Sequence, residues 1–230
     1  MTSNKFIEIF PFGALRCARI DLSHPQLTET FLEAALSREE LESSRSFKNP
    51  GRRREFLAGR LAAHHLNPKL PPLIRSAGGE ALWGEGFVGS ITHKRGWAVA
   101  AVEGTARYRS LGLDLEAVEG FPVEVSKEIG VPEDLCLAGP YSPSDPRFLA
   151  LLFSAKESLY KACFPLAGVW FGFQDAQLLG YELSSGRFQI RLLRDLGSQF
   201  VSGQVFDGQF QYLTWAGVDF VLSAVCLEKT

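Results

Sequence analysis

Helix-like and strand-like patterns interleave in both halves of the sequence, which predicts an α+β fold rather than an all-parallel sheet. Two observations bound that fold further. No internal repeat is visible at the sequence level and no low-complexity linker divides the chain. With 230 residues and 46% apolar content, the chain can build one sizeable core or two smaller ones sharing an interface.

Taken in order, the first helical signal is "SREE", where Ser37 and Glu40 fit a capping box and the helix is expected to run toward Phe47. A second helix follows Asn49 and Pro50 and carries "RRREFLAGRLAAHHL" up to Leu66. Three strand-like runs come next: "VGSIT", "WAVAAV" and "LGLDLE". Residues 130–146 collect four prolines and read as a long loop. It leads into a helix with Asp145 as N-cap and Pro146 at the first helical position. Phe148, Leu152, Ala155, Leu159 and Ala162 recur there at helical spacing, and the helix is expected to stop before Pro165. "AQLLGYEL", "RFQIRLL", "QYLTWAG" and "FVLSAVCL" complete the strand set.

A formal net charge of -2 and a pI near 6.1 exclude a global positive field, so nucleic acid is not expected as the main partner. The first residues lack a sustained apolar run after a basic start, and no segment approaches the ~20 apolar residues of a membrane span. A cytoplasmic location without membrane association is the expectation. Cys17, Cys136, Cys163 and Cys226 are scattered without a C-x-x-C pair, which indicates neither a zinc site nor a disulfide framework.

Three stretches carry chemistry. In "LGLDLEAVEG" alternation puts Leu111, Leu113 and Leu115 on one face and Asp114 and Glu116 on the other. Either the acidic face is solvated, as on an edge strand, or the two carboxylates share a divalent cation. In "FSAKESLYKA" Glu157 and Lys161 lie four apart on one helix face, which suits a surface ion pair or a site for a metal and a polyphosphate. Lys156 sits about 100° around the helix from Glu157, where it could reach another part of the same ligand. Thr92, His93 and Lys94 end an apolar strand, which suits an anion or a structural histidine. Arg53 and Arg60, seven apart, share a helix face that is either solvated or a phosphate site, with Arg52 and Arg54 pointing elsewhere.

The order R-R-x-E-F-x-x-G-R, G-S-I-T-H, G-x-D-x-E and F-S-x-K-E-x-x-x-K-A, over roughly residues 45–175, resembles the large, Sfp-like 4'-phosphopantetheinyl transferases. That resemblance implies a pseudo-dimer of two similar α+β halves, here 1–110 and 111–230, with coenzyme A in the cleft between them. It implies transfer of 4'-phosphopantetheine from coenzyme A to a serine of an apo acyl or peptidyl carrier protein, with release of adenosine 3',5'-bisphosphate. By motif, Asp114, Glu116 and Glu157 would hold magnesium, and Lys156 and Lys161 would meet the coenzyme A phosphates. His93 would meet the pyrophosphate or 3'-phosphate, Thr92 the nucleotide end, and Arg53 and Arg60 the 3'-phosphate. Arg75 lies where some relatives have a basic residue near the phosphates. Glu157 would take the serine proton and Lys161 would stabilise the leaving phosphate. The wording of "RRREFLAGR" and "THK" looks closer to the siderophore-synthetase branch, and a monomer is expected. Many relatives carry prolines around the tryptophan before G-S-x-T-H, where this chain has Ala81 and Gly84, and Phe173 and Asp175 of "FGFQDAQL" look structural. The rival functions are a magnesium-dependent nucleotide phosphodiesterase and a non-catalytic RNA-binding module built on Arg52, Arg53 and Arg54.

Overall fold

The computed structural model describes residues 6–229, which divide into two compact units between Tyr108 and Arg109. The first unit contains β1 (Ile7–Phe12), β2 (Leu15–Asp21), α1 (Glu29–Ala35), α2 (Arg38–Ser44), α3 (Pro50–Leu66), β3 (Phe87–Lys94) and β4 (Trp97–Gly104). Its antiparallel sheet has the order β1-β2-β4-β3. Pro11 is tolerated because β1 is an edge strand, where a missing N–H breaks no ladder. Helix α3 packs on the sheet through small residues: Ala58, Ala62 and Ala63 meet Ala18, Ala98 and Ala100 in one core. A Cβ at Gly59 would lie 2.4 Å from Ile91 Cγ2, so that glycine sets how closely the helix approaches β3.

The second unit contains β5 (Tyr108–Ala117), α4 (Ser126–Ile129), α5 (Pro132–Leu135), α6 (Pro146–Ala167), β6 (Ala176–Glu182), β7 (Arg187–Leu192), β8 (Val205–Trp215) and β9 (Val218–Glu228). Its sheet has the order β5-β9-β8-β7-β6, and the sequence-adjacent pairs from β6 to β9 are antiparallel. Phe148, Leu152, Ala155, Leu159 and Ala162, the apolar stripe of α6, are all fully buried in this unit's core. The molecule is α+β, with one main helix laid on an antiparallel sheet in each unit.

Several boundaries differ from those expected. Helix α2 has the capping box, with Ser37 Oγ accepting from the Glu40 N–H and Glu40 from the Ser37 N–H, but ends at Ser44 rather than near Phe47. Helix α6 starts at Asp145 and Pro146, then continues through Pro165 to Gly168, whose left-handed φ of 63° ends it. Pro165 sits in the last turn, where the lost donor and the ring disturb little that follows. The proline-rich stretch 130–146 includes the single turn α5. Strands β1 and β2 and helix α1 gave no sequence signal strong enough to assign. Among the described residues, no helix is long and apolar enough to cross a membrane.

Candidate active site

The site in the second unit begins with a glycine. A Cβ on Gly112 would lie 1.9 Å from the Ser158 carbonyl oxygen and 2.6 Å from the Ala162 nitrogen, so β5 and α6 touch backbone to backbone. Close approach of that kind puts side chains two residues along β5 beside those of α6. Leu111, Leu113 and Leu115 are buried, as alternation requires, and the opposite face is buried as well: Asp114 is 4% and Glu116 7% exposed. The acidic face is therefore not a solvated edge.

Lys161 on α6 donates from Nζ to Asp114 Oδ1 at 2.7 Å and to the Leu113 carbonyl at 3.1 Å. The ammonium reaches across to β5, so Lys161 is more than half of a surface i,i+4 pair with Glu157. Burial pushes the Glu157 carboxyl above its ordinary value, and the Asp114 charge adds to the effect while Lys161 opposes it. Behind these groups runs a buried hydroxyl chain. Ser154 Oγ donates to the Asp114 carbonyl at 3.2 Å and lies 2.8 Å from Ser223 Oγ, which donates to Ser158 Oγ at 3.2 Å. Three elements, β5, α6 and β9, are tied together at Ser154, one turn before Glu157, and α6 and β9 again at Ser158, the residue after it.

Asp114, Glu116 and Glu157 offer hard carboxylate oxygens, the donor type that magnesium and calcium take. Among the described residues no three histidine, cysteine or acidic side chains stand gathered as a ready metal-holding group. The donor chemistry thus fits a hard divalent cation, with an ammonium on one of the oxygens such an ion would take.

Lys156 lies elsewhere. Expected at the phosphates, it is 2% exposed, with Nζ donating to Asp134 Oδ2 at 2.6 Å and to the Phe173 carbonyl at 2.9 Å. Asp134 is fully buried and also accepts from the Val131 N–H at 2.9 Å and the Leu178 N–H at 2.6 Å. Burial pulls the Lys156 pKa down and Asp134 holds it up. An ammonium enclosed by a carboxylate and a carbonyl acts as a structural pin, whereas the family resemblance assigns this lysine to a phosphate. Phe173, which supplies that carbonyl and packs 4.8 Å from the Phe153 ring, is structural, as is Asp175, which caps Gly172.

In the first unit the three consecutive arginines take three directions. Arg53 is held by Glu29, by Glu33 at 3.0 Å and by Ser44 Oγ at 3.1 Å, so it staples α1 and α2 to α3. Arg54 donates to the carbonyls of Leu22 and Leu27. Arg52, which was expected to point away, is the one beside His93: its Nη1 lies 3.5 Å from His93 Nδ1 and 3.2 Å from Glu55 Oε2, and His93 Nδ1 lies 3.3 Å from that same oxygen. Thr92 is buried within β3.

Arg60 is also engaged internally. It is buried, stacks 3.3 Å over the Phe56 ring and donates to the Leu73 carbonyl at 2.9 Å, while burial, reinforced by Arg75 and opposed by Glu40, lowers its pKa to about 9. It pins the 67–86 segment through Leu73. Glu40 holds the other side of Leu73, accepting its N–H at 3.0 Å and bonding His64 Nε2 at 2.7 Å. Arg75 is exposed on that segment, with Nε 3.3 Å from the Gly79 carbonyl. The departures at Ala81 and Gly84 are accommodated locally. Ala81 bridges to Arg75, Gly84 has a φ of 76° against Pro71, and Trp83 covers Gly89, where a Cβ would lie 2.5 Å from its ring. The four cysteines, all among the described residues, form no disulfide, and burial raises the Cys163 thiol to about 12.

Sequence reasoning missed Asp134 and Ser223, which lie far in the chain from Lys156 and Ser154, and gave Glu55 of the R-R-x-E-F motif no role. Gly112 had a usable signal, because an isolated glycine inside an apolar strand marks close backbone approach.

An α+β chain with buried carboxylates on a strand, a lysine across from them on a helix and arginine and histidine at a strand end has the makings of an enzyme acting on phosphates. Comparison with known proteins makes that class specific. Residues 45–103 match the model of the 4'-phosphopantetheinyl transferase N-terminal domain, and residues 110–217 match that of the 4'-phosphopantetheinyl transferase superfamily. The chain is 36% identical over 152 residues to 4'-phosphopantetheinyl transferase PptT of Mycobacterium tuberculosis, an alignment that spans 63% of this chain and 66% of that one. It is 33% identical over 189 residues to 4'-phosphopantetheinyl transferase Npt of Nocardia iowensis, covering 76% and 82% of the two chains. Enterobactin synthase component D of Salmonella typhi is 34% identical over 124 residues, half of each chain. The chain belongs to the 4'-phosphopantetheinyl transferase superfamily and is a transferase of that group.

Proposed function

We propose that the chain moves 4'-phosphopantetheine from coenzyme A onto a serine of an apo acyl or peptidyl carrier protein, in a magnesium-dependent reaction that releases adenosine 3',5'-bisphosphate. Family membership supports the group transferred, and the similarity to enterobactin synthase component D supports a carrier of siderophore synthesis. The observation that carries the chemistry is the part-buried Asp114–Lys161 pair, with Glu157 on the same face of α6 as Lys161.

In the reaction the serine oxygen bonds to the β-phosphorus while the bond from that phosphorus to the bridging oxygen breaks. Glu157 takes the serine proton, directly or through a water. Lys161 meets the negative charge that builds on the leaving phosphate. Asp114, Glu116 and Glu157 are the groups that would hold magnesium, which when bound would neutralise pyrophosphate oxygens. His93, with Arg52 and Glu55 against its ring, is assigned to a phosphate of coenzyme A. Arg53 and Thr92 are engaged within their own unit, and the exposed Arg75, whose Nε bonds the Gly79 carbonyl, is assigned to an anion. The enzyme is proposed to work as a cytoplasmic monomer.

The test is incubation with coenzyme A, magnesium and a panel of apo carriers, followed by weighing of each carrier. Gain of one phosphopantetheine by a carrier, lost in Asp114→Asn, is the expected result. Cleavage of coenzyme A without any carrier would move the reading to a phosphodiesterase.

A further inference from the structure

Lys161 bonds one of the two oxygens that a cation on Asp114 would take. Its Nζ lies 2.7 Å from Asp114 Oδ1 and 3.1 Å from the Leu113 carbonyl, which anchors it on β5 at two points. The side chain remains 27% exposed, against 5% for the Asp114 side chain, so the lysine is the partner with room to move. A dication on either Asp114 oxygen would share its carboxylate with this ammonium, and two cations on one carboxylate repel at short range. The Asp114 carboxylate would otherwise attract a dication more strongly, and the ammonium cancels part of that attraction.

We propose that Lys161 closes Asp114 to a divalent cation until a polyphosphate draws the ammonium away, so that cation and coenzyme A bind cooperatively. The inference rests on the reading of Asp114 as a metal ligand and of coenzyme A as the donor. Its physical basis is a choice between two partners. In the free enzyme Asp114 is the best anion within reach of Lys161, whereas a bound pyrophosphate offers more charge and more acceptor oxygens. Moving the ammonium to phosphate uncovers Asp114 Oδ1, and by linkage the cation then raises affinity for coenzyme A by the same factor. The two components of the reaction would assemble together, and a cation alone would bind poorly.

Manganese is the probe, with free ion read by electron paramagnetic resonance and no turnover required. In the wild type, coenzyme A should raise manganese affinity about tenfold, within the usual range of site coupling. Lys161→Met should bind manganese without coenzyme A at least ~5-fold tighter than wild type, although it loses transfer activity, and its coupling should shrink toward unity. Lys161→Gln, which keeps a hydrogen-bond donor without the charge, serves as a second variant should the methionine protein fold poorly by circular dichroism. Folded variants with manganese affinity equal to or weaker than wild type would overturn the proposal, as would a wild type in which coenzyme A leaves manganese affinity unchanged. Asp114→Asn distinguishes failure of the underlying reading: undiminished manganese binding there, with coenzyme A present, would mean that Asp114 is no ligand at all.

Discussion

Lys156→Met separates the two roles that the K-E-x-x-x-K motif allows its first lysine. In the structure this change leaves the Asp134 carboxylate at 0% exposure, still accepting from the N–H groups of Val131 and Leu178 but without its cation. Removing one partner of a buried pair costs about 3–5 kcal/mol. The two remaining amide donors stabilise the carboxylate, which places the expected loss near ~3 kcal/mol. For a chain of this size 1 kcal/mol moves the melting temperature by about 2–4 °C, so the drop should be about 6–12 °C. Adding Asp134→Asn removes the stranded charge, and the double variant should lose less than the sum of the two single changes. Thermal melts and urea titrations of the four proteins make the cycle, with coenzyme A kinetics run alongside. A Lys156→Met enzyme that melts with the wild type and shows a raised KM for coenzyme A at unchanged kcat would refute the reasoning and return this lysine to the phosphates.

Gly112→Ala should be among the most damaging single-methyl changes available, because the added Cβ meets backbone at Ser158 and Ala162, which no rotamer change relieves. Overpacking costs about 1–3 kcal/mol and more where backbone must shift, so a loss above ~3 kcal/mol in urea unfolding is expected, together with loss of transfer, and a wild-type melt would contradict it. Glu40 governs the acid limb of stability. Burial alone would raise its pKa, but hydrogen bonds from His64, Leu73 and Ser37 bring it down to about 2. A depressed carboxyl stabilises the fold above its ordinary value of 4.5 and loses that contribution as pH falls toward 2. The shift corresponds to about 3 kcal/mol at 1.36 kcal/mol per unit. Between pH 6 and pH 3 the wild type should therefore lose more unfolding free energy than Glu40→Gln, and parallel pH profiles would exclude Glu40 as the cause.

Alternation in "LGLDLE" was enough to place three leucines in the core, since side-chain direction in a strand is a local property. It did not reveal that Asp114 and Glu116 are buried too, because that depends on α6, some forty residues downstream, lying over the strand at Gly112. Arg53 shows the same limit from the other side. Heptad spacing put it on one face with Arg60, yet its charge is consumed by Glu29 and Glu33 of α1, a seven-residue helix too short to announce itself by periodicity. Lys156 was legible as helical and as displaced from Glu157. Its partner was not, because Asp134 sits in a proline-rich stretch that reads as loop.

The two lysines of "KESLYK" make sense together once their partners are known. Five residues apart on α6, Lys156 and Lys161 project about 140° from one another around the helix axis. One is fixed to Asp134 and the Phe173 carbonyl, the other to Asp114 and the Leu113 carbonyl. A helix bonded on two such separated sides cannot rotate about its axis without breaking one set of bonds. Glu157 lies about 40° from Lys161 and about 100° from Lys156, so the angle that the two anchors set is the angle at which its carboxyl faces β5. The buried pair at Lys156 would then serve the reaction without touching substrate. Its loss would appear first in stability and only secondarily in turnover, whereas loss of Lys161 would appear in turnover directly.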